Sequence, residues 1–313
     1  MNANAMRYKS TGIQQNTDET TLIHQTNFPL HNMGEEFFDM TRIEEGDPYF
    51  FNGIHRHDFY EVLWFTEVNT KQAHYIDFVK YPITNNQLFL LLPDQVHNMD
   101  RNGKTGFLMA ISKDFFERLI ATDIFKLFYH SVNFSVVIPD EQLVIFHSLI
   151  ALIAKEFSDE KRPGILESYL RSWFLHCIDL QKEVQGGNKP DRRMDLFIES
   201  VELHFREQRS AGFYASELSL SAKRLNELTK ESFGKTISQI INDRLILEAK
   251  RELSAFEKPI KEISYELGFS EPSYFTRFFG KQTGFSPEDF RKKMEMMYHW
   301  KTDFPLSSCI KKR

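Results

Sequence analysis

A degenerate internal repeat, with a period of about 50 residues, constrains this chain more than any other feature. One copy runs Leu218-Ser219-Leu220-Ser221, then Leu225, Leu228 and Gly234; the other runs Leu267-Gly268-Phe269-Ser270, then Phe275, Phe278 and Gly284. The second turn is one residue longer. Beyond it the frames agree, with nine steps from Leu225 to Gly234 and from Phe275 to Gly284. Each copy predicts a short helix ending at Leu218 or Leu267, followed by a tight turn. Gly268 is free to take a positive φ there; Ser219, in the matching place, is a less comfortable residue. Ser221 and Ser270 are placed to cap a second helix, and Pro272 suits that helix's first turn. Leu225/Leu228 and Phe275/Phe278 turn inward, and Gly234 and Gly284 stand where glycines end helices. Helix, short turn and helix with fixed apolar spacing is a helix-turn-helix.

Between the copies, 236–256 predicts one long helix. Thr236 caps it, and Ile237, Ile240, Ile241, Leu245, Ala249, Leu253 and Phe256 form its buried stripe. Such a helix holds the two units at a fixed separation. At about 34 Å their second helices would enter successive major grooves on one face of DNA. A plain helical bundle that happens to repeat is the competing reading. The polar faces of the second helices speak against it: Lys223, Arg224, Asn226, Glu227 and Lys230 in one, Ser273, Tyr274, Thr276, Arg277 and Lys281 in the other. Arg and Lys suit guanine, Asn suits adenine, and Glu accepts from cytosine N4. Charge points the same way. Residues 191–313 hold 22 Lys/Arg against 19 Asp/Glu, a net of +3, leaving −8 for residues 1–190 out of a chain total of −5.

The stretch 260–291 closely resembles the signature of AraC/XylS-type regulators. Gly268-Phe269, Ser273-Tyr274-Phe275 and Gly284-Phe285-Ser286-Pro287 match it in spacing and identity. The resemblance extends over 192–293 and loosens before that. It departs from the usual pattern at Ser264, where Ala is common, and at Ser219. It implies a seven-helix DNA-binding domain with two recognition helices. By position in that pattern Lys223, Asn226 and Glu227 face bases from the first unit, and Ser273, Tyr274 and Arg277 from the second; Arg224 and Thr276 flank them. The ring of Tyr274 has an inward alternative. Lys235, Arg244 and Lys281, with backbone N–H groups at helix starts, are the phosphate candidates, a solvated surface role being the alternative for each lysine. The resemblance further implies an activator, a homodimer and, for an activator, a contact with RNA polymerase.

The front half has another texture. Short apolar runs at 36–42, 49–53, 59–67, 72–80, 87–92 and 106–111, separated by turn residues, predict strands of a barrel or sandwich. From 113 to 184 the period becomes helical: Leu143, Phe146, Ile150, Ile153 and Phe157 form one stripe, and Leu166, Leu170, Trp173, Phe174, Cys177 and Leu180 another. The expected fold class is α+β: an N-terminal cupin-like β-barrel followed by helices, then an all-α C-terminal domain with two helix-turn-helix units joined by a long helix. The expected domains are a disordered tail at 1–20, a cupin-like effector domain at 21–112 and a helical dimerisation or packing region at 113–184. A turn-rich linker at 185–191, the DNA-binding domain at 192–293 and a C-terminal tail at 294–313 complete the chain.

His55, His57 and Glu61 have the His-x-His-x3-Glu spacing of the cupin metal motif, and His97 sits where a cupin's last histidine falls. On a strand His55, His57 and Glu61 share a face, and such ligands suit Fe, Mn, Zn or Ni. The Pro93-to-His97 spacing is one residue short of the usual second motif, whose Gly is missing. The cupin-like domains of AraC-type regulators commonly keep such histidines without a metal. His55, His57, Glu61, Trp64 and His97 are therefore read as an effector pocket, with no metal and no cofactor assigned. His74 and His147 are read as ordinary surface or core residues. Two cysteines exclude a disulfide framework and a four-cysteine zinc site. No apolar run approaches the about 18 residues of a membrane helix, and the start lacks a signal-peptide core; a cytoplasmic location is expected. The expected partners are double-stranded DNA, an unknown small-molecule effector and a second copy of the chain. The rival readings are a cupin enzyme with a helical appendage, a protein-binding repeat, and a regulator with no small-molecule ligand.

Overall fold

A computed structural model describes residues 9–10, 30–46, 53–69, 73–119, 134–184 and 192–302. These divide into two compact units at Ile198/Glu199.

The first unit is mixed β and α. Its strands are β1 (Lys9–Ser10), β2 (Leu30–Asn32), β3 (Phe38–Arg42), β4 (Arg56–His57), β5 (Tyr60–Val68), β6 (Ala73–Ile76), β7 (Val79–Pro82), β8 (Gln87–Leu91), β9 (His97–Asn98), β10 (Lys104–Ile111) and β11 (Phe134–Val137). Its helices are α1 (Lys113–Leu119), α2 (Leu143–Ser158) and α3 (Pro163–Val184). A five-stranded sheet, ordered β11-β8-β5-β10-β3, lies with two three-stranded sheets, β1-β2-β4 and β7-β6-β9. The strand spacing predicts a barrel or a sandwich; among the described residues the pairing gives these three sheets and no closed barrel.

Strand β5 explains where the core sits. Side chains alternate across a strand, and here both faces are covered. Tyr60, Val62 and Trp64 join Phe115, Phe116, Phe146, Trp173 and Phe174 in the core under the helices. Leu63 and Phe65 join Ile76, Phe89 and Met99 on the other face. The helical stripes expected at 143–157 and 166–180 fill the first core, with Phe146, Ile150, Ile153, Leu166, Leu170, Trp173 and Cys177 all buried.

Several strand expectations shift. The run 72–80 is a hairpin that turns at Asp77 and Phe78, both at positive φ (48° and 69°). No Gly or Asn marks that turn. Its anchor is the Asp77 carboxylate, which accepts from Gln95 Nε2 at 2.8 Å and from the Val96 N–H at 3.3 Å. The region after Lys113 is interrupted by β11, which pairs antiparallel with β8. Strands β2, β4 and β9, of two or three residues, are too short to carry a periodicity. Of the expected 49–53 strand only Gly53 is described. In the expected tail 1–20, Lys9–Ser10 pair with His31 and Asn32; the remainder, and the expected linker 185–191, lie outside the described residues.

The second unit is helical: α4 (Arg192–His204, whose first turns precede Glu199), α5 (Ala211–Glu217), α6 (Ala222–Phe233), α7 (Ile237–Ala255), α8 (Ile260–Glu266), α9 (Pro272–Thr283) and α10 (Pro287–Thr302). Helix α10 extends to Thr302, so the first part of the expected C-terminal tail is helical. Thr236 caps α7 through a capping box with Gln239, and Ile237, Ile241, Leu245, Ala249 and Leu253 are buried along it. Helix α7 touches α6, α8, α9 and α10, and so ties both repeats to one axis.

Candidate nucleic-acid interface

The two turns close in the same way. The Ser219 and Leu220 N–H groups donate to Ser216 O (3.0 Å) and Ala215 O (2.8 Å); those of Gly268 and Phe269 donate to Tyr265 O (2.9 Å) and Ser264 O (3.0 Å). Ser219 and Gly268 both take positive φ, 54° and 74°. Past the turns the copies diverge. Ser221 caps α6, its hydroxyl accepting from the Arg224 N–H at 3.1 Å. In the second copy the extra residue moves the cap position to Glu271, which makes no side-chain cap bond, so Ser270 does not cap; Pro272 stands in the first turn as expected. Gly234 and Gly284 end α6 and α9 in the left-handed conformation. Leu225, Leu228, Phe275 and Phe279 are buried, while Phe278 is half-buried against Phe269, with ring centroids 5.3 Å apart.

The polar faces are open. Lys223, Arg224 and Glu227 are exposed on α6, as are Ser273, Tyr274, Thr276 and Arg277 on α9. Tyr274 points outward, 52% exposed, with the Arg277 guanidinium 4.8 Å over its ring. That cation–π contact holds Arg277 in one region of space without using its donors. Arg224 and Glu227 form an i,i+3 ion pair at 3.2 Å. Asn226 differs from expectation: it is half-buried, and its Oδ1 accepts from the Ile237 N–H at 3.2 Å, serving the first turn of α7.

Among the phosphate candidates, Lys281 is exposed and Lys235 is exposed but paired with Asp243 at 2.8 Å. Arg244 has another task. Its side chain is 17% exposed, bonded to Glu202 (2.8 Å) and Glu248 (2.9 Å), and lies 4.2 Å over the Phe205 ring. Arg206 bonds the same Glu248. Burial pushes the Glu248 carboxyl up, but Arg244, Arg251 and Arg206 outweigh it and hold the group at about 2. Opening such a buried pair from one side costs about 3–5 kcal/mol, so this cluster is part of the fold.

The first unit carries a second polar centre. His31, His55, His57, Glu61, His74 and His97 are all buried. Pairing assembles them: β2 runs parallel to β4 with His31 beside His57, and His55 and His97 exchange backbone hydrogen bonds at 3.0 and 2.9 Å. Glu61 Oε2 lies 3.6 Å from His57 Nε2 and 3.7 Å from His97 Nε2. His74 Nε2 is 3.1 Å from His97 Nδ1. Burial, with the neighbouring histidines, lowers His31 to about 4 and His55 and His74 to about 3. It lowers His97 well below its usual range too. These rings are therefore neutral near pH 7.

Three of the five expected pocket residues, His57, Glu61 and His97, point at one another, and His55 lies beside them, its ring tilted against that of His97 with centroids 4.1 Å apart. Trp64 does not join them. It is an odd number of residues from Glu61, so alternation turns it to the opposite face, against Phe107, Phe146 and His147. His74, read as ordinary, belongs to the cluster. Its signal was a histidine inside a strand run, and only the β6–β9 pairing makes it meaningful.

A family model described as a helix-turn-helix domain matches residues 214–293. The chain is 25% identical over 267 residues to the uncharacterized HTH-type transcriptional regulator YfiF of Bacillus subtilis, covering 76% of this chain and 78% of that protein. It is 28% identical over 118 residues to the HTH-type transcriptional activator RhaS of Escherichia coli, covering 38% of this chain and 41% of RhaS, so less than half of that activator is matched. Among solved structures, unsaturated fatty acid bound ToxT from Vibrio cholerae is similar at 17% identity and a TM-score of 0.41, over 81% of this chain and 91% of ToxT. The paired helices and the family model mark residues 214–293 as a helix-turn-helix domain, and both relatives are named as transcription regulators. No helix among the described residues is long and apolar enough to cross a membrane.

Proposed function

We propose that the chain reads a bipartite DNA site with α6 and α9 in successive major grooves and activates transcription in response to a small-molecule effector. Lys223, Arg224 and Glu227 face one sub-site; Ser273, Tyr274, Thr276 and Arg277 face the other; Lys235 and Lys281 meet phosphates. Asn226 holds α7, and Arg244 holds the fold. The observation that carries the reading is the exposure of these donors in a row on two helices whose opposite faces are buried against their partners. The first unit serves as the cupin-like effector module in this reading, and the protein works as a cytoplasmic homodimer that contacts RNA polymerase. Dimerisation doubles the footprint and raises affinity through effective concentration.

Salt tests the DNA part. Each neutralised phosphate releases counterions, so six to ten contacts lose about 10³–10⁵ in affinity between 50 and 200 mM salt. The full chain should bind random duplex at low salt and lose it steeply across that range. Absence of binding at 50 mM would sink the reading.

A further inference from the structure

We propose that His57, Glu61 and His97 form a binding site for one divalent transition-metal ion. His57 Nε2, Glu61 Oε2 and His97 Nε2 are buried and have no hydrogen-bond partner, yet they face one another, all within 4.8 Å. Buried polar atoms are almost always satisfied, and each exception calls for a reason. Three exceptions converging on one point have one economical reason, a cation between them.

The remaining contacts orient the lone pairs inward. His57 Nδ1 is 2.7 Å from the Phe59 carbonyl, which only accepts, so Nδ1 carries a proton and Nε2 is the nitrogen that faces Glu61. An imidazole whose other nitrogen donates to a backbone carbonyl is the usual outer-shell arrangement of a metal-bound histidine. His97 Nδ1 lies 3.1 Å from His74 Nε2, a contact that fixes the orientation of the His97 ring. The separations from Glu61 Oε2, 3.6 and 3.7 Å, are close to the about 3.4 Å between neighbouring ligand atoms around a tetrahedral ion with bonds of about 2.1 Å.

The donor set selects the ion. Two imidazole nitrogens and one carboxylate suit Zn²⁺, Ni²⁺, Fe²⁺ or Co²⁺; Mg²⁺ and Ca²⁺ require oxygen ligands. The site stands on three ligands, each from a separate strand segment: β4, β5 and β9. An ion there would staple the two small sheets to the large one.

The test uses the full chain stripped with EDTA and titrated calorimetrically with Zn²⁺, Ni²⁺, Co²⁺ and Mg²⁺. The expected result is one equivalent of Zn²⁺ or Ni²⁺, none of Mg²⁺, a higher melting temperature with the bound ion, and visible absorbance from Co²⁺. Glu61→Gln keeps the shape and removes the charge; it should weaken uptake at least about tenfold. His97→Gln is the second variant, and circular dichroism in metal-free buffer shows whether each is folded. Folded wild-type chain that takes up none of the transition ions overturns the proposal. So does uptake that is the same in wild type and in a folded Glu61→Gln or His97→Gln variant.

Discussion

The first helix-turn-helix copy turns on Ser219 at φ 54°, the second on Gly268 at 74°, and the backbone hydrogen bonds around the two are alike. What differs is the neighbour. A Cβ on Gly268 would stand 2.0 Å from the Arg206 carbonyl oxygen. Arg209 closes the same contact, its guanidinium 3.9 Å over the Phe269 ring and donating to Leu267 O at 2.8 Å. Ser219 is exposed. Glycine in the second turn thus answers a close approach of backbone as well as a dihedral angle, while the first turn bears a serine at a modest conformational cost. The helix starts differ in the opposite sense: the first copy has a hydroxyl cap, and the second relies on Pro272.

That contrast can be broken or sharpened by substitution. Gly268→Ala should have the largest effect, about 3 kcal/mol or more, because a clash with fixed backbone adds to a left-handed strain of about 1–3 kcal/mol. Urea unfolding of the C-terminal unit measures it; a loss below 1 kcal/mol would show that the Arg206 segment yields. Ser221→Ala should cost about 1 kcal/mol through the lost cap, and Ser270→Ala almost nothing. Equal losses at the two serines would contradict the shifted cap. Ser219→Gly should be the smallest change, stabilising by about 0.5–1 kcal/mol as the left-handed cost of serine is removed. A destabilised Ser219→Gly would mean that the serine side chain has a role of its own.

The two polar centres differ in a parallel way. In the second unit Glu248 is bonded by Arg244 and Arg206. In the first, the inward atoms of His57, Glu61 and His97 have no hydrogen-bond partner. A centre satisfied by its own side chains is architecture; one left open at a single point is a place for a ligand.

The repeat was legible because fixed offsets of Leu, Phe and Gly carry their own physics: a buried face, a left-handed stop and a capping hydroxyl. Tertiary assignments were not. Asn226 and Arg244 have the chemistry to touch DNA, and nothing in their local sequence says that the start of α7 and Glu202 claim them. Ser270 misled because the extra turn residue moved the cap by one place. In the front half, His55, His57 and Glu61 could be placed on one face by alternation, and the same rule, applied to Trp64, would have sent it to the other. His74 joins through a cross-strand pairing that no local pattern encodes.

In the proposed function α6 and α9 each read a sub-site. It is tested most directly by selecting bound sequences from random duplexes with the wild-type chain and with Arg277→Ala, at two salt concentrations. A bipartite motif with sub-sites about one helical turn apart is the expected result. Arg277→Ala should blur one sub-site, with a loss of about 1–3 kcal/mol of discrimination, and leave the other sharp. A single undivided motif, or equal blurring of both sub-sites by Arg277→Ala, would contradict it.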